Sequence, residues 1–226
     1  MKALSMKRVP LLIVLVLLIS SVGWAGNCAT ANLSTYDASG YSCSIGPLLF
    51  SNFSYATSSS GGGFAPPDSG VTVNPISGSE SGFQFSGAYL ASSDQTADGV
   101  IQYTVTCQGC ALTDWVLSMV AGAVGTGSAS VAEVANNGQG LFTFTGGGLH
   151  IFSDSSPFTP SGSATVVTKD IGASGGTAGA GHISVVDNLW STSAVPEPAS
   201  LALLGTAMFG AGLLLRRRLN EAEGRG

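Results

Sequence analysis

Two histidines, four cysteines and a scatter of carboxylates are the residues of this chain that could do chemistry. His150 is followed by Asp154 and His182 by Asp187, four and five residues on. On a helix that spacing sets an imidazole beside an orienting carboxylate. On a strand it separates the two by more than about 12 Å. Both histidines stand next to Ile in β-patterned stretches, so they read as strand residues rather than as a proton relay. Gly172-Ala173-Ser174-Gly175-Gly176 matches the G-x-S-x-G pattern of an activated serine. That elbow requires a strand before it and a helix after it, and the following TAGAG starts no helix. With 32 Gly in the chain, the match is coincidence. P-loop, H-E-x-x-H and EF-hand patterns are missing, and no motif calls for a cofactor or a metal. The inventory points away from an enzyme.

The cysteines are Cys28, Cys43, Cys107 and Cys110. Four cysteines allow three pairings. Cys28–Cys43 with Cys107–Cys110 is the favoured one, since the first closes a loop of about 15 residues and adds about 3 kcal/mol in the chain-entropy model. The second needs only a turn at Gln108-Gly109, and turn ends lie within disulfide reach. A redox-active C-x-x-C requires a helix N-terminus to lower the thiol pKa, and a strand-like segment follows here. A zinc site lacks its second C-x-x-C. Asp94 and Asp98 flank a polar loop where carboxylates and carbonyls can hold Ca²⁺, but two acids do not specify a site.

Two further readings compete with a non-catalytic structural role. Tyr36, Tyr41, Tyr55, Tyr89, Trp115 and Trp190 offer ring faces on which sugars could stack, so a carbohydrate-binding or adhesive module is the alternative, with extracellular polysaccharide as its ligand. A secreted hydrolase requires two carboxylates about 5–9 Å apart in one cleft.

The elements that must position these residues read as strands. Ile101, Tyr103, Val105 and Cys107 alternate with Gln102, Thr104 and Thr106, a period of two. Phe83/Phe85 and Phe142/Phe144 repeat the spacing, and 48–55, 71–76, 112–120, 128–135, 148–152, 164–171 and 182–190 are further strand candidates. Gly, Ser, Pro and Asp clusters separate them, and no capped 3.6-residue stripe occurs in 26–195. Eight to ten short strands predict an all-β fold, an antiparallel β-sandwich of jelly-roll or Ig-like type over residues 26–190, with 191–195 as a linker.

Both ends are of a different kind. Lys2, Lys7 and Arg8 precede the apolar run 11–19, and Gly23 and Ala25 supply the small residues before a cut after Ala25. This is a secretory signal peptide, residues 1–25. Ala199–Leu215 is a second apolar run of 17 residues. As a helix it is about 26 Å long and just spans a bilayer core of about 30 Å. Arg216, Arg217 and Arg218 follow as a membrane stop, and 219–226 is a cytoplasmic tail. The region between the two apolar runs is then extracytoplasmic. Within it, residues 26–195 keep one lysine, Lys169, against ten carboxylates. Such a surface repels nucleic acid, whose phosphates need Lys and Arg.

Pro196-Glu197-Pro198, an apolar helix and Arg216-Arg217-Arg218 closely resemble the PEP-CTERM sorting signal of exported bacterial proteins. The resemblance covers about 30 residues, and the tail beyond Arg218 is longer than the usual abrupt basic end. It implies an exosortase as processing partner and an inner-membrane anchor until processing near Pro-Glu-Pro. It further implies a cell-surface or extracellular destination in the envelope or extracellular polymer. Phe50–Tyr55 (FSNFSY) and Thr168–Ile171 (TKDI) more loosely resemble a group of such proteins with paired N-terminal cysteines and no settled activity.

Pro196 and Pro198 donate no backbone hydrogen bond and hold the strip extended above the membrane, with Glu197 as its one charge. Pro196→Ala combined with Glu197→Ala is therefore expected to leave export intact and to stop processing, so that full-length protein accumulates in the membrane fraction. The same shortened, released product as wild type on an immunoblot would make Pro-Glu-Pro a mere linker.

Overall fold

The computed structural model describes residues 26–194. The signal peptide, Pro196–Pro198, the apolar run 199–215, Arg216–Arg218 and the tail lie outside the described residues.

The first half of the chain forms β1 (Gly26–Asn27), β2 (Ala31–Asn32), a single helical turn α1 (Leu33–Tyr36), β3 (Ser42–Ile45), β4 (Leu48–Ser60), β5 (Thr72–Ile76), β6 (Ser81–Ser92) and β7 (Thr96–Cys107). The second half forms β8 (Cys110–Gly125), β9 (Ser128–Ala135), β10 (Gly140–Gly146), β11 (Leu149–Ile151), β12 (Ser153–Gly162), β13 (Ala164–Ser174) and β14 (Gly179–Ala194). One sheet has eight strands in the order β1-β3-β4-β7-β13-β9-β10-β11, the other six in the order β12-β8-β14-β6-β5-β2. All pairings are antiparallel except the short β1–β3 contact. The two sheets enclose one core, and the fold is the antiparallel β-sandwich that the alternation predicts.

Strands are more numerous and longer than the pattern suggests. β12 escapes notice because Ser, Pro and Gly fill it; it lies at a sheet edge, where proline is tolerated, and its register with β8 shifts between Pro157 and Gly162. β14 runs on to Ala194, pairing Thr192 with Leu112 and Ala194 with Cys110. The stretch 191–194 is therefore strand, not the linker expected from its Ser-rich composition. Leu33–Tyr36 is a helical turn where no helix was expected, and both of its terminal side chains are buried.

Period-two alternation sorts the side chains. On β7, Ala97, Ile101, Tyr103, Val105 and Cys107 face inward, and on β13 Thr165, Val167, Lys169, Ile171 and Ala173 do. Tyr36, Phe50, Phe53, Phe83, Phe85 and Tyr103 form one aromatic cluster, with centroid distances of 4.5 Å for Phe50–Phe83 and 5.3 Å for Phe53–Tyr103. Trp115 and Trp190 stack at 5.3 Å, and Phe158 of β12 meets both edge-on. Edge strand β12 is thus held by a core anchor as well as by its ladder.

At the centre of the core lies a polar group of side chains. Lys169 on β13 sits directly opposite Glu133 on β9, and the two form an ion pair with neither side chain exposed. Tyr103 on β7 donates its hydroxyl to Asn188 Oδ1 on β14, across the gap between the sheets. Asn188 Nδ2 donates to the Val116 carbonyl at 3.2 Å.

Disulfides close two corners. Cys28–Cys43, with Cα atoms 4.8 Å apart, ties β1 to β3. Cys107–Cys110, with Cα atoms 5.2 Å apart, sits where the chain leaves the eight-stranded sheet and enters the six-stranded one. Gly109, at φ +71°, makes that corner possible.

Thiol-reactive labelling of the exported protein without reductant should therefore modify no cysteine. Cys28→Ser with Cys43→Ser should lower unfolding free energy by about 3 kcal/mol in a urea titration, the size of a loop this long. Labelling of Cys107 and Cys110 in native protein would contradict the structure.

Candidate functional site

The alternation that buries Lys169 turns its neighbour Asp170 outward, onto the open face of the eight-stranded sheet. Asp98 on β7 faces the same way. Register brings these acids together: Asp98 pairs with Gly172, and Asp170 with Val100 one step along the same two strands. The carboxyls are diagonal neighbours on this face. Gly172 contributes no side chain, which leaves the space beside Asp98 open.

The ladder continues outward in two rows. Asp98, Gly172, Ser130 and Phe144 follow one another across β7, β13, β9 and β10. Val100, Asp170, Ala132 and Phe142 form the second row. Gly, Ser and Ala therefore floor an open groove of about 360 Å³, walled by the two aspartates and by Ser58, Ser128 and Ser174. Beyond it stand Phe142 and Phe144, their rings stacked 6.1 Å apart and nearly parallel at 17°. Phe142 is 46% exposed, and Val134, Leu149 and Ile151 extend the apolar surface over β9 and β11. A polar groove beside an apolar shelf results.

Asp98 is pushed up to about 6, first by burial and then by the neighbouring Asp170 carboxyl, against a lowering by the Gly99 N–H. Asp98 Oδ1 is buried with no hydrogen-bond partner among the described residues. No basic residue offsets the pair, because Lys169, the single lysine of the described residues, lies inside the sandwich.

The remaining candidates go elsewhere. His150 lies exposed on β11, bonded through Nδ1 to the Thr145 hydroxyl at 2.7 Å and stacked on Phe152 at 5.6 Å. Asp154 instead accepts the Phe142 N–H at 2.9 Å, so this pair is not joined. His182 is exposed on β14, and the missing side chain of Gly122 makes room for its ring. Asp187 accepts from the Ser118 hydroxyl at 3.3 Å, and no relay forms there either. Ser174 ends β13, and its Oγ accepts the Gly176 N–H at 3.2 Å. Asp94 occupies the β6–β7 turn at φ +61°. Asp98 lines the groove with Asp170. Among the described residues no three His, Cys, Asp or Glu gather as a metal site.

The aromatic residues expected to offer stacking faces do not do so. Tyr36, Tyr89, Trp115 and Trp190 are buried in the core. Tyr41 and Tyr55 pack against it, and the Tyr55 hydroxyl meets that of Tyr89 at 2.9 Å. Bulky aromatics on alternating strands belong to the inner face, whereas Phe142 and Phe144 point out. The Asp98–Asp170 pair had no sequence signal, because 72 residues and two crossovers separate partners that only sheet order makes adjacent.

A family model described as the PEP-CTERM protein-sorting motif matches residues 194–218. The chain thus carries the sorting motif of exported, exosortase-processed proteins. No curated protein matches the chain. Among solved structures, TmCBM61 in complex with β-1,4-galactotriose is similar at 7% identity and TM-score 0.30, covering 70% of this chain and 92% of that one. A family 11 carbohydrate-binding module from Clostridium thermocellum, in complex with a β-1,3-1,4-mixed-linked tetrasaccharide, shares 12% identity at TM-score 0.24 over 61% and 88% of the two chains. The tailspike protein 4 enzymatically active domain of bacteriophage CBA120 shares 14% identity at TM-score 0.24 over 63% of this chain and 20% of that one.

Asp98 yields a pH prediction. Its folded pKa lies above its unfolded value, so the penalty for its charge is absent below about pH 4 and complete above about pH 6. The urea midpoint is expected to rise as pH falls from about 7 towards about 5, and Asp98→Asn should flatten that rise while raising the midpoint at about pH 7. An unchanged slope in Asp98→Asn would remove Asp98 as its source.

Proposed function

We propose that this protein is a surface or extracellular-matrix component without catalytic activity, sorted by an exosortase, whose sandwich holds a neutral polysaccharide on the open face of its eight-stranded sheet. The observation that carries the reading is the groove of Asp98, Asp170 and serine hydroxyls lying beside the exposed Phe142 ring, which stacks parallel to Phe144. Sugar hydroxyls donate well to carboxylates and exchange hydrogen bonds with serines, while their C–H faces suit exposed aromatic rings. A small-residue floor admits a chain lying across the strands. An exposed apolar shelf of this kind marks an interaction surface.

Charge narrows the ligand. Two carboxyls with no cation beside them disfavour a uronic, sulfated or phosphorylated polymer and leave neutral glycans as the matching class. The same absence of cations argues against nucleic acid and anionic lipid headgroups. Hydrolysis is not part of the reading. Sorting places such a domain where polymer is available, and the two disulfides suit an oxidising compartment.

The test is a pull-down of exported protein with a panel of insoluble neutral and acidic polysaccharides, followed by titration of the best binder. Phe142→Ala with Phe144→Ala is expected to weaken binding by about tenfold or more, about 1.4 kcal/mol, with the thermal midpoint held because Phe142 is half exposed. Retention by no neutral polymer, or binding indifferent to both phenylalanines, would overturn the reading.

A further inference from the structure

The polar centre of the core is not explained by the groove. Lys169 is fully buried between the sheets, in the ion pair with Glu133 and with the Phe85 ring 5.9 Å from its Nζ. Glu133 lies close enough to the Asn188 side chain on the facing sheet for that carboxamide to steady its charge. The Glu133 carboxylate thus accepts from the Lys169 amine and has the Asn188 carboxamide beside it. The Asn188 carbonyl oxygen already accepts the Tyr103 hydroxyl, which draws electron density from Cγ. Glu133 Oε1 has no hydrogen-bond partner among the described residues.

We infer that Lys169 and Asn188 join in an isopeptide bond across the two sheets, formed by the folded domain itself with Glu133 carrying the proton. The Lys169 Nζ lone pair attacks Asn188 Cγ, and Tyr103 stabilises the oxygen that gains charge. Glu133 accepts a proton from Nζ and delivers it to Nδ2. The Cγ–Nδ2 bond breaks, ammonia leaves, and a secondary amide remains. No oxidant or cofactor enters the balance.

The surroundings favour each part. Burial lowers the Lys169 pKa against the pull of Glu133, and burial raises the Glu133 pKa against the pull of Lys169. Both shifts move the pair towards neutral amine and carboxylic acid, the forms that attack and that donate a proton. Sealed between sheets, the reactants have no bulk water to compete with the amine. With Glu133 beside both groups, the packed core holds amine and carboxamide at an effective concentration that no two free side chains reach. The product ties β13 of one sheet to β14 of the other, and so adds a bond between the layers to the two disulfides at their corners. It also removes the cost of keeping an ion pair out of water.

The experiment is peptide mapping by mass spectrometry of the full exported chain after denaturation and reduction. A branched peptide joining the segments around Lys169 and Asn188, lighter than their sum by one ammonia, is expected, together with tryptic resistance at Lys169. Recovery of both segments as linear peptides with free side chains from folded protein overturns the inference. Asn188→Asp should yield the same branch with water lost instead of ammonia. Glu133→Gln, if it retains the native circular dichroism spectrum, should remain unlinked. A branch formed there to the wild-type extent would refute the role of Glu133, and if that variant does not fold, the wild-type map alone decides.

Discussion

Everything in the sandwich is arranged around one costly placement, the enclosure of Lys169 and Glu133 between the sheets. An isolated charge there is prohibitive, and removing one partner of such a pair costs about 3–5 kcal/mol. The neighbouring strands must therefore keep Lys169 opposite Glu133 and bring Asn188 and Tyr103 to meet them. A slip of one residue along β13 would carry Lys169 outward and Asp170 into the aromatic core. The dipeptide Lys169-Asp170 thus couples the two halves of the account. Its first residue belongs to the core chemistry and its second to the open groove.

Much of the architecture was legible in period-two alternation. β7 shows it in Ile101–Cys107, and inward Phe83 and Phe85 follow the same rule. What escaped is instructive. β12 carries Pro157 and Pro160, which read as loop until the strand is known to be an edge. Residues 191–194 read as linker by composition, yet β8 offers them a ladder to the end. Tyr36, Trp115 and Trp190, which only the alternative reading offers as stacking faces, fill the space between the two sheets, the usual place of large aromatics. The groove was illegible for a different reason. Asp98 and Asp170 are adjacent only because β7 and β13 are, and no local pattern encodes that pairing.

The division of labour along the chain follows from these constraints. The tail carries an address in a short motif that a family model recognises over residues 194–218. The domain presents an acidic face with an aromatic shelf and, among the described residues, no lysine or arginine. Rigidity between the two faces comes from packing, from disulfides at a terminus and a corner, and from the polar centre. A pull on the open face would be transmitted through β13 directly to the core.

Reactivity of the Lys169 amine tests the enclosure most directly. The exported, folded protein is treated with an amine-acylating reagent and mapped at Lys169. No modification is expected there at reagent levels that fully label an exposed lysine. Acylation of Lys169 at the rate of a free lysine, in protein that remains folded, would contradict the sealed polar centre on which the account rests.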